Sequence, residues 1–229
     1  MNIIVNGASR GIGKETAICL AGDKTNEVIV TGRNEEKLQE LSGRFGNIHS
    51  LVVDMAVLES QAESFKKDIS LYFKKVDILI NMAGLMIPGD FMEAGRTEAR
   101  DMMETNFFGP ATMIRIIRPL MHEGSHVVNI SSMGGFQGSS KYKGLSFYSA
   151  SKAALACLSE CLAVEFAGSG ISVNCLALGA VQTEMLAVAF PGYKAGIEAG
   201  HMGEFISDFA VKGNKFFNGK IIPVALSNP

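Results

Sequence analysis

A doubly wound α/β domain, with a parallel sheet of about seven strands and helices on both faces, is predicted by three features of the chain. Short β-branched runs recur and several are apolar throughout, the pattern of strands covered on both sides. Helix-like stretches alternate with these runs, so right-handed crossovers would carry helices to both faces of the sheet. A glycine-rich turn joins the first run to the first helical stretch.

Along the chain, strands are expected at Ile3–Val5, Val28–Thr31, Ile48–Val53, Val76–Ile80, His126–Ile130, Ile171–Asn174 and Ile221–Val224. Helices are expected at Ile12–Ala21, Glu35–Leu41, Leu58–Phe73, Thr97–Met121 and Phe147–Ala167. No Pro- or Ser-rich linker interrupts the series, so residues 1–229 read as a single domain. The span Ala150 to Ala167 carries few charges, where a surface helix would show a polar face. Either a subunit contact buries its second face, or it is a central helix covered within the monomer.

The bulk composition narrows the partners. With 47% hydrophobic and 19% charged residues, the 229-residue chain suits a globular protein with a large core. A net charge of −2 gives no electrostatic case for nucleic acid or an anionic membrane. The N-terminus lacks a basic segment running into a long apolar one, and no window offers roughly 18 consecutive apolar residues. Neither a signal peptide nor a membrane helix is therefore expected. Cys19, Cys157, Cys161 and Cys175 sit in apolar stretches without a ligand cluster, and read as buried free thiols in the reducing cytoplasm. The four histidines lie outside every motif, and no metal is expected.

The turn Asn6-Gly7-Ala8-Ser9-Arg10-Gly11-Ile12-Gly13 follows the first strand and opens the first helix. Glycines there permit a tight turn, a close approach of backbone to a pyrophosphate, and close packing of helix on strand. The helix N-terminus adds free N–H groups and a dipole suited to phosphates. Dinucleotide binding follows from that placement. After the second strand comes Thr31-Gly32-Arg33-Asn34, where an NAD site would place an acidic residue on the ribose hydroxyls. Gly32 leaves room and Arg33, with Arg10 in the turn, supplies positive charge for a 2′-phosphate, so NADP is expected ahead of NAD.

Tyr148-Ser149-Ala150-Ser151-Lys152 opens the apolar helix. Residues four apart share a helix face, so an ammonium can lie beside the phenol. A tyrosine of pKa about 10 is a poor acid or base at neutral pH, and a neighbouring cation is expected to bring it toward the working range. Upstream, Asn129-Ile130-Ser131-Ser132 closes a strand, where open α/β sheets bind ligands. Asn106 interrupts a long helical stretch and is expected to mark a kink that holds a water.

With these motifs in order, the chain resembles the short-chain dehydrogenase/reductase family in its shorter, single-domain, Rossmann-type form, over nearly its whole length. Gly7, Gly11 and Gly13 match the family's Thr-Gly-x-x-x-Gly-x-Gly turn, with Asn6 for Thr. Asp54 matches its aspartate beside the adenine, and Asn81-Met82-Ala83-Gly84 resembles its Asn-Asn-Ala-Gly. Asn106, Ser132, Tyr148 and Lys152 fall on its catalytic tetrad, and Leu178-Gly179-Ala180-Val181-Gln182-Thr183 resembles its Pro-Gly-x-x-x-Thr segment.

The resemblance implies an oxidoreductase that interconverts a carbonyl and an alcohol, acting as a homodimer or homotetramer. Tyr148 would be the general acid or base, Ser132 would position the substrate oxygen, Lys152 would hold the nicotinamide ribose, and Asn106 would anchor a water. Cofactor contacts are implied at Gly7, Ser9, Arg10, Gly11, Ile12, Gly13, Arg33, Asp54, Asn81, Ala83 and Gly84. Tyr148, Lys152, Val181 and Thr183 complete that set at the nicotinamide end. A non-catalytic dinucleotide sensor on the same fold would have no need of the complete tetrad. A longer-branch epimerase would space its glycines differently and add a substrate domain.

Met82 in place of asparagine and Leu178 in place of proline put rigidity, not chemistry, in question. The 16 residues from Ser132 to Tyr148 exceed the family's usual interval, so Gly134–Ser146 must bulge. Lys141, Tyr142 and Lys143 on that bulge either meet an anionic substrate tail or are simply solvated. The segment after Thr183 falls where the resemblance implies a lid over substrate; short and apolar, it suits either a small or open pocket for an uncharged carbonyl group or a helix whose apolar face packs on the sheet. Pro229 follows the last strand closely, so little tail is expected to cover that pocket.

Overall fold

A computed structural model describes residues 1–226; the terminal residues 227–229, and the short tail expected there, lie outside the described residues. Seven strands form one sheet: β1 (Asn2–Asn6), β2 (Glu27–Gly32), β3 (Ile48–Val52), β4 (Val76–Asn81), β5 (Met121–Ser132), β6 (Ser172–Leu178) and β7 (Ile221–Val224). Every neighbouring pair is parallel, in the order β3-β2-β1-β4-β5-β6-β7. The chain builds outward from β1 to β3, then returns to the other side of β1 as β4. That reversal opens a crevice at the carboxyl ends of β1 and β4.

Eight helices flank the sheet: α1 (Gly11–Gly22), α2 (Glu35–Arg44), α3 (Ala62–Tyr72), α4 (Arg96–Met103), α5 (Gly109–Ile117), α6 (Ser146–Glu165), α7 (Glu184–Ala189) and α8 (Ala199–Lys212). Within β1, Ile3 and Val5 face one layer while Ile4 faces the other, which is why the strand is apolar throughout. The first layer packs Ala17 and Leu20 of α1, Leu38 of α2 and Ile206 of α8 on the sheet. The second packs Phe65 and Ile69 of α3, Met113 and Ile117 of α5 and Ala163 of α6.

Four readings from the sequence need correction. The stretch expected as one helix from Thr97 to Met121 is α4, a π-helical turn at Glu104–Phe108, α5 and a 3-10 turn at Arg118–Leu120; Met121 already belongs to β5. Pro110 causes the irregularity, since it has no N–H to give the carbonyl four residues back. Helix α8 was not anticipated, although Met202, Ile206 and Ala210 are buried at four-residue spacing. It packs on α1 at close range because a Cβ on Gly203 would lie 2.8 Å from Cβ of Glu15.

The cysteines are not uniformly buried either: Cys175 is, but Cys157 and Cys161 are exposed on α6. With Ala150, Ala153 and Val164, the last 78% exposed, they form an apolar stripe that nothing among the described residues covers. The alternative of a central helix covered within the monomer is thus excluded for this face.

A polar rung crosses the sheet where the crevice opens. Thr31, Asn6, Asn81 and Asn129 are consecutive partners in the strand register. The Thr31 hydroxyl donates to Asn6 Oδ1 at 3.2 Å, Asn6 Nδ2 to Asn81 Oδ1 at 3.4 Å, and Asn81 Nδ2 to Asn129 Oδ1 at 2.9 Å. Asn129 Nδ2 then donates to Ser159 Oγ of α6 at 2.9 Å. All five residues are buried. Asn6 therefore supplies a tie between strands that the Met82 position lacks. Leu178 adds a ladder pair with Val224, so this approach is held by the sheet rather than by a proline ring.

Replacing Asn81 by leucine would strand the donor of Asn6 and the acceptor of Asn129. We expect a loss of roughly 3 kcal/mol in unfolding free energy, read from urea denaturation. A loss no larger than that of an exposed substitution would show that the rung does not act as a unit.

Candidate active site

The crevice is a cleft of about 440 Å³ that begins at the glycine turn. Gly7 has φ +88°, and a Cβ there would lie 2.5 Å from the backbone nitrogen of Ala83, so the turns after β1 and β4 meet without side chains between them. A Cβ on Gly13 would collide with the Gly7 carbonyl, while Gly11, at φ +55°, opens α1 beside Thr183. Helix α1 has no side-chain cap and no acidic residue in its first turn. Its free N–H groups and positive dipole are therefore open toward the cleft.

Ser9, Arg10 and Ile12 line the cleft with these glycines, as do Arg33 and Asp54 at the end of β2 and beyond β3. Asp54 is fixed by accepting from the backbone N–H of Ala56 at 3.0 Å. Both arginines are exposed, and no acidic side chain stands at the Arg33 position. A bare helix N-terminus, a backbone that a Cβ would obstruct, and two exposed guanidinium groups fit the phosphates of a dinucleotide. Ala83 and Gly84 line the middle of the cleft and Val181 and Thr183 its far wall. Thr183 also caps α7, accepting from Leu186 N–H at 3.2 Å. Asn81 is the exception: its amide lies in the buried rung, and only the residues after it reach the cleft.

Ser132, Tyr148 and Lys152 come together at the other end. Gly134 and Gly135 follow β5, and a Cβ on Gly135 would lie 2.6 Å from the Ala153 nitrogen, so these glycines let Ser132 close onto the first turns of α6. The Ser132 hydroxyl accepts from the Gly134 N–H at 3.2 Å. Burial pushes the Tyr148 phenol above its ordinary pKa, with the Ser132 hydroxyl acting in the opposite direction. The downward shift expected from the lysine does not arise: desolvation dominates, and only the Ser132 hydroxyl opposes it.

Lys152 is only 3% exposed and donates to the Ile130 carbonyl at 2.9 Å. Desolvation lowers its pKa from 10.5 to about 8. Chemically, the site offers a protonated phenol, a hydroxyl that can orient an oxygen, and a buried cation behind them.

Asn106 sits behind the cleft in the π turn. Its Nδ2 donates to the Leu85 carbonyl at 2.8 Å and to Ser151 Oγ at 2.9 Å, while its Oδ1 accepts from Leu85 N–H at 2.7 Å. Both amide hydrogens and one lone pair of Oδ1 are thus engaged within the protein. Two residues missed in the sequence complete this corner. Ser151 also donates to the Tyr148 carbonyl at 2.7 Å, and Ser131 donates to the Lys152 carbonyl at 2.8 Å. Both lie beside anticipated residues, at positions where a buried hydroxyl in a helix or strand needs a partner.

Lys141 and Lys143 do not line the cleft. Lys141 donates to the Phe136 carbonyl and to Ser139, and Lys143 lies 3.5 Å from Asp90. Among the described residues no group of three potential metal ligands occurs, and no helix is long and apolar enough to cross a membrane.

Comparison with known proteins gives this geometry a family. The family model described as short chain dehydrogenase matches residues 1–194. The 3-oxoacyl-acyl-carrier-protein reductase FabG of Escherichia coli (strain K12) is 33% identical over 202 residues, covering 86% of this chain and 80% of its own. An uncharacterised oxidoreductase of Staphylococcus saprophyticus is 31% identical over 188 residues, covering 80% and 79%. A short-chain dehydrogenase from Burkholderia cenocepacia J2315, solved in complex with NADP, superposes with a TM-score of 0.86 at 22% identity, over 97% of this chain and 95% of that one. The protein belongs to the short-chain dehydrogenase/reductase family and is an oxidoreductase.

The burial of Lys152 has a measurable consequence in the cofactor-free protein. Between pH 8 and pH 10.5 the unfolded chain keeps a proton that the folded chain has released, so rising pH stabilises the fold across that window. A shift from 10.5 to about 8 is worth on the order of 3 kcal/mol. We expect wild type to gain stability relative to Lys152→Met as pH rises through this range, measured by denaturant midpoints. Parallel pH profiles would contradict a desolvated lysine.

Proposed function

We propose that residues 1–229 form a single catalytic domain of an NADP(H)-dependent reductase that converts a carbonyl into an alcohol, and the reverse under oxidising conditions. One juxtaposition carries this reading: a cleft with an open helix N-terminus and Arg10 and Arg33 at one end has Ser132, Tyr148 and Lys152 at the other. Gly7, Ser9, Gly11, Ile12 and Gly13 would cradle the pyrophosphate through their backbone, and Asp54 would meet the adenine. Ala83 and Gly84 would bound the ribose, and Val181 and Thr183 would hold the carboxamide. When bound, the nicotinamide dinucleotide supplies or accepts the hydride. The NADP in the Burkholderia relative supports the choice of cofactor by analogy.

Ser132 would donate to the substrate oxygen and hold it against Tyr148. Because burial keeps the phenol protonated, Tyr148 stands ready as an acid, which favours carbonyl reduction at neutral pH. Lys152, held by Ile130, would use its remaining N–H groups on the cofactor ribose and on a relay water. Asn106 would hold that water through its carbonyl, which Pro110 cannot serve, rather than through its engaged amide.

The exposed apolar stripe of α6 supports assembly as a homodimer or homotetramer, with α6 of one subunit on that of another. Four free thiols agree with a cytoplasmic setting.

Tyr148→Phe should retain NADPH binding and lose turnover by about 10²–10⁴-fold; turnover at the wild-type rate would sink the mechanism. Arg33→Ala should weaken NADPH by about tenfold or more and leave NADH almost unchanged, in fluorescence titrations. Equal effects on both cofactors would remove the 2′-phosphate assignment. Val164→Glu should reduce the assembled mass in light scattering, and an unchanged mass would place the contact elsewhere.

A further inference from the structure

The long interval between Ser132 and Tyr148 has no part in the chemistry above, yet it is an ordered piece of the cleft. Its first half is tied to itself: Ser139 Oγ donates to the Met133 and Phe136 carbonyls, and Lys141 Nζ donates to Phe136 and Ser139. Its second half is pinned to the loop after β4, where Gly89 N–H donates to the Gly144 carbonyl at 3.0 Å and Lys143 faces Asp90. Gly138 and Gly144 turn the chain at φ +83° and +81°.

These ties turn both lysines away from the cleft and bring Tyr142 into its wall, 41% exposed at the rim. Tyr193, beyond α7, lines the same rim. Burial first, and the field of Tyr193 second, hold the Tyr142 phenol above its ordinary pKa. Met86, Met133, Leu145 and Phe190 supply apolar wall to the same cleft.

Resting on the reductase reading, we propose that the bulged loop makes this end of the cleft selective for an uncharged, largely apolar carbonyl compound carrying a second, hydrogen-bonding oxygen remote from the reacting carbon. Tyr142 and Tyr193 would hold that oxygen, since each phenol can donate and accept. The apolar wall would take the body of the molecule. A carboxylate at the remote position would face phenols and apolar side chains with no cation to pair with, because Lys141 and Lys143 do not line the cleft.

A matched set tests this: 4-methylacetophenone, 4-(hydroxymethyl)acetophenone and 4-acetylbenzoate share a reacting carbonyl and differ only at the far end. Binding is read from quenching of NADPH fluorescence in the enzyme–NADPH complex, and reduction is followed separately. The hydroxymethyl compound should bind roughly three- to tenfold more tightly than the methyl compound. The carboxylate should bind more than about tenfold more weakly than either. In the Tyr142→Phe/Tyr193→Phe double variant, the preference for hydroxymethyl over methyl should fall to about one, with NADPH affinity retained.

A carboxylate bound as well as the methyl compound, a hydroxymethyl preference that survives the double variant, or no binding of any of the three would overturn the proposal. The expected binding order without reduction of any ketone would uphold the pocket and count against the reductase reading instead.

Discussion

Two backbones and a row of amides set the position of everything else in this protein. At the switch point of the sheet, Gly7 and Ala83 approach so closely that no Cβ fits between them. Directly beneath, the amides of Asn6, Asn81 and Asn129 bridge β1, β4 and β5 and end on Ser159 of α6. Buried amides are costly unless paired, so each member holds its neighbours to one register. The turn that would carry the cofactor and the helix that carries Tyr148 are thereby referenced to the same rung.

The Tyr148 and Lys152 end of the cleft depends on a second compromise. A buried ammonium is unfavourable, and Lys152 retains one fixed acceptor, the Ile130 carbonyl, in exchange for its hydration. Ser131 holds the lysine's own backbone carbonyl, and Ser151 links Tyr148 to Asn106. These hydroxyls leave the lysine little freedom to withdraw. Desolvation raises the phenol and lowers the ammonium, moving both toward their neutral forms.

Much of the architecture was legible in the sequence because strands covered on both faces are apolar at every position, as Ile3, Ile4 and Val5 illustrate. Cleft residues such as Gly7, Arg33, Tyr148 and Lys152 were legible because each lies in a local motif placed by a strand end. Helix α8 was not, since Gly200 and Gly203 dilute its apolar spacing. The π turn at Asn106 required noticing Pro110, whose effect falls four residues upstream. The rung was hidden for another reason: its asparagines become neighbours only through strand register. Tyr142 and Tyr193 belong to separate loops, and no local pattern announces their meeting.

The bulged loop between β5 and α6 has most of its hydrogen bonds within itself, and few tether it to the rest of the molecule. Such a segment behaves as a cassette. Its length and side chains can drift across generations while Ser132 and Tyr148, at its two borders, remain held by β5 and α6. The loop and the residues at its borders thus occupy separable stretches of chain. Evolution, or a designer, can revise the first without rewriting the second.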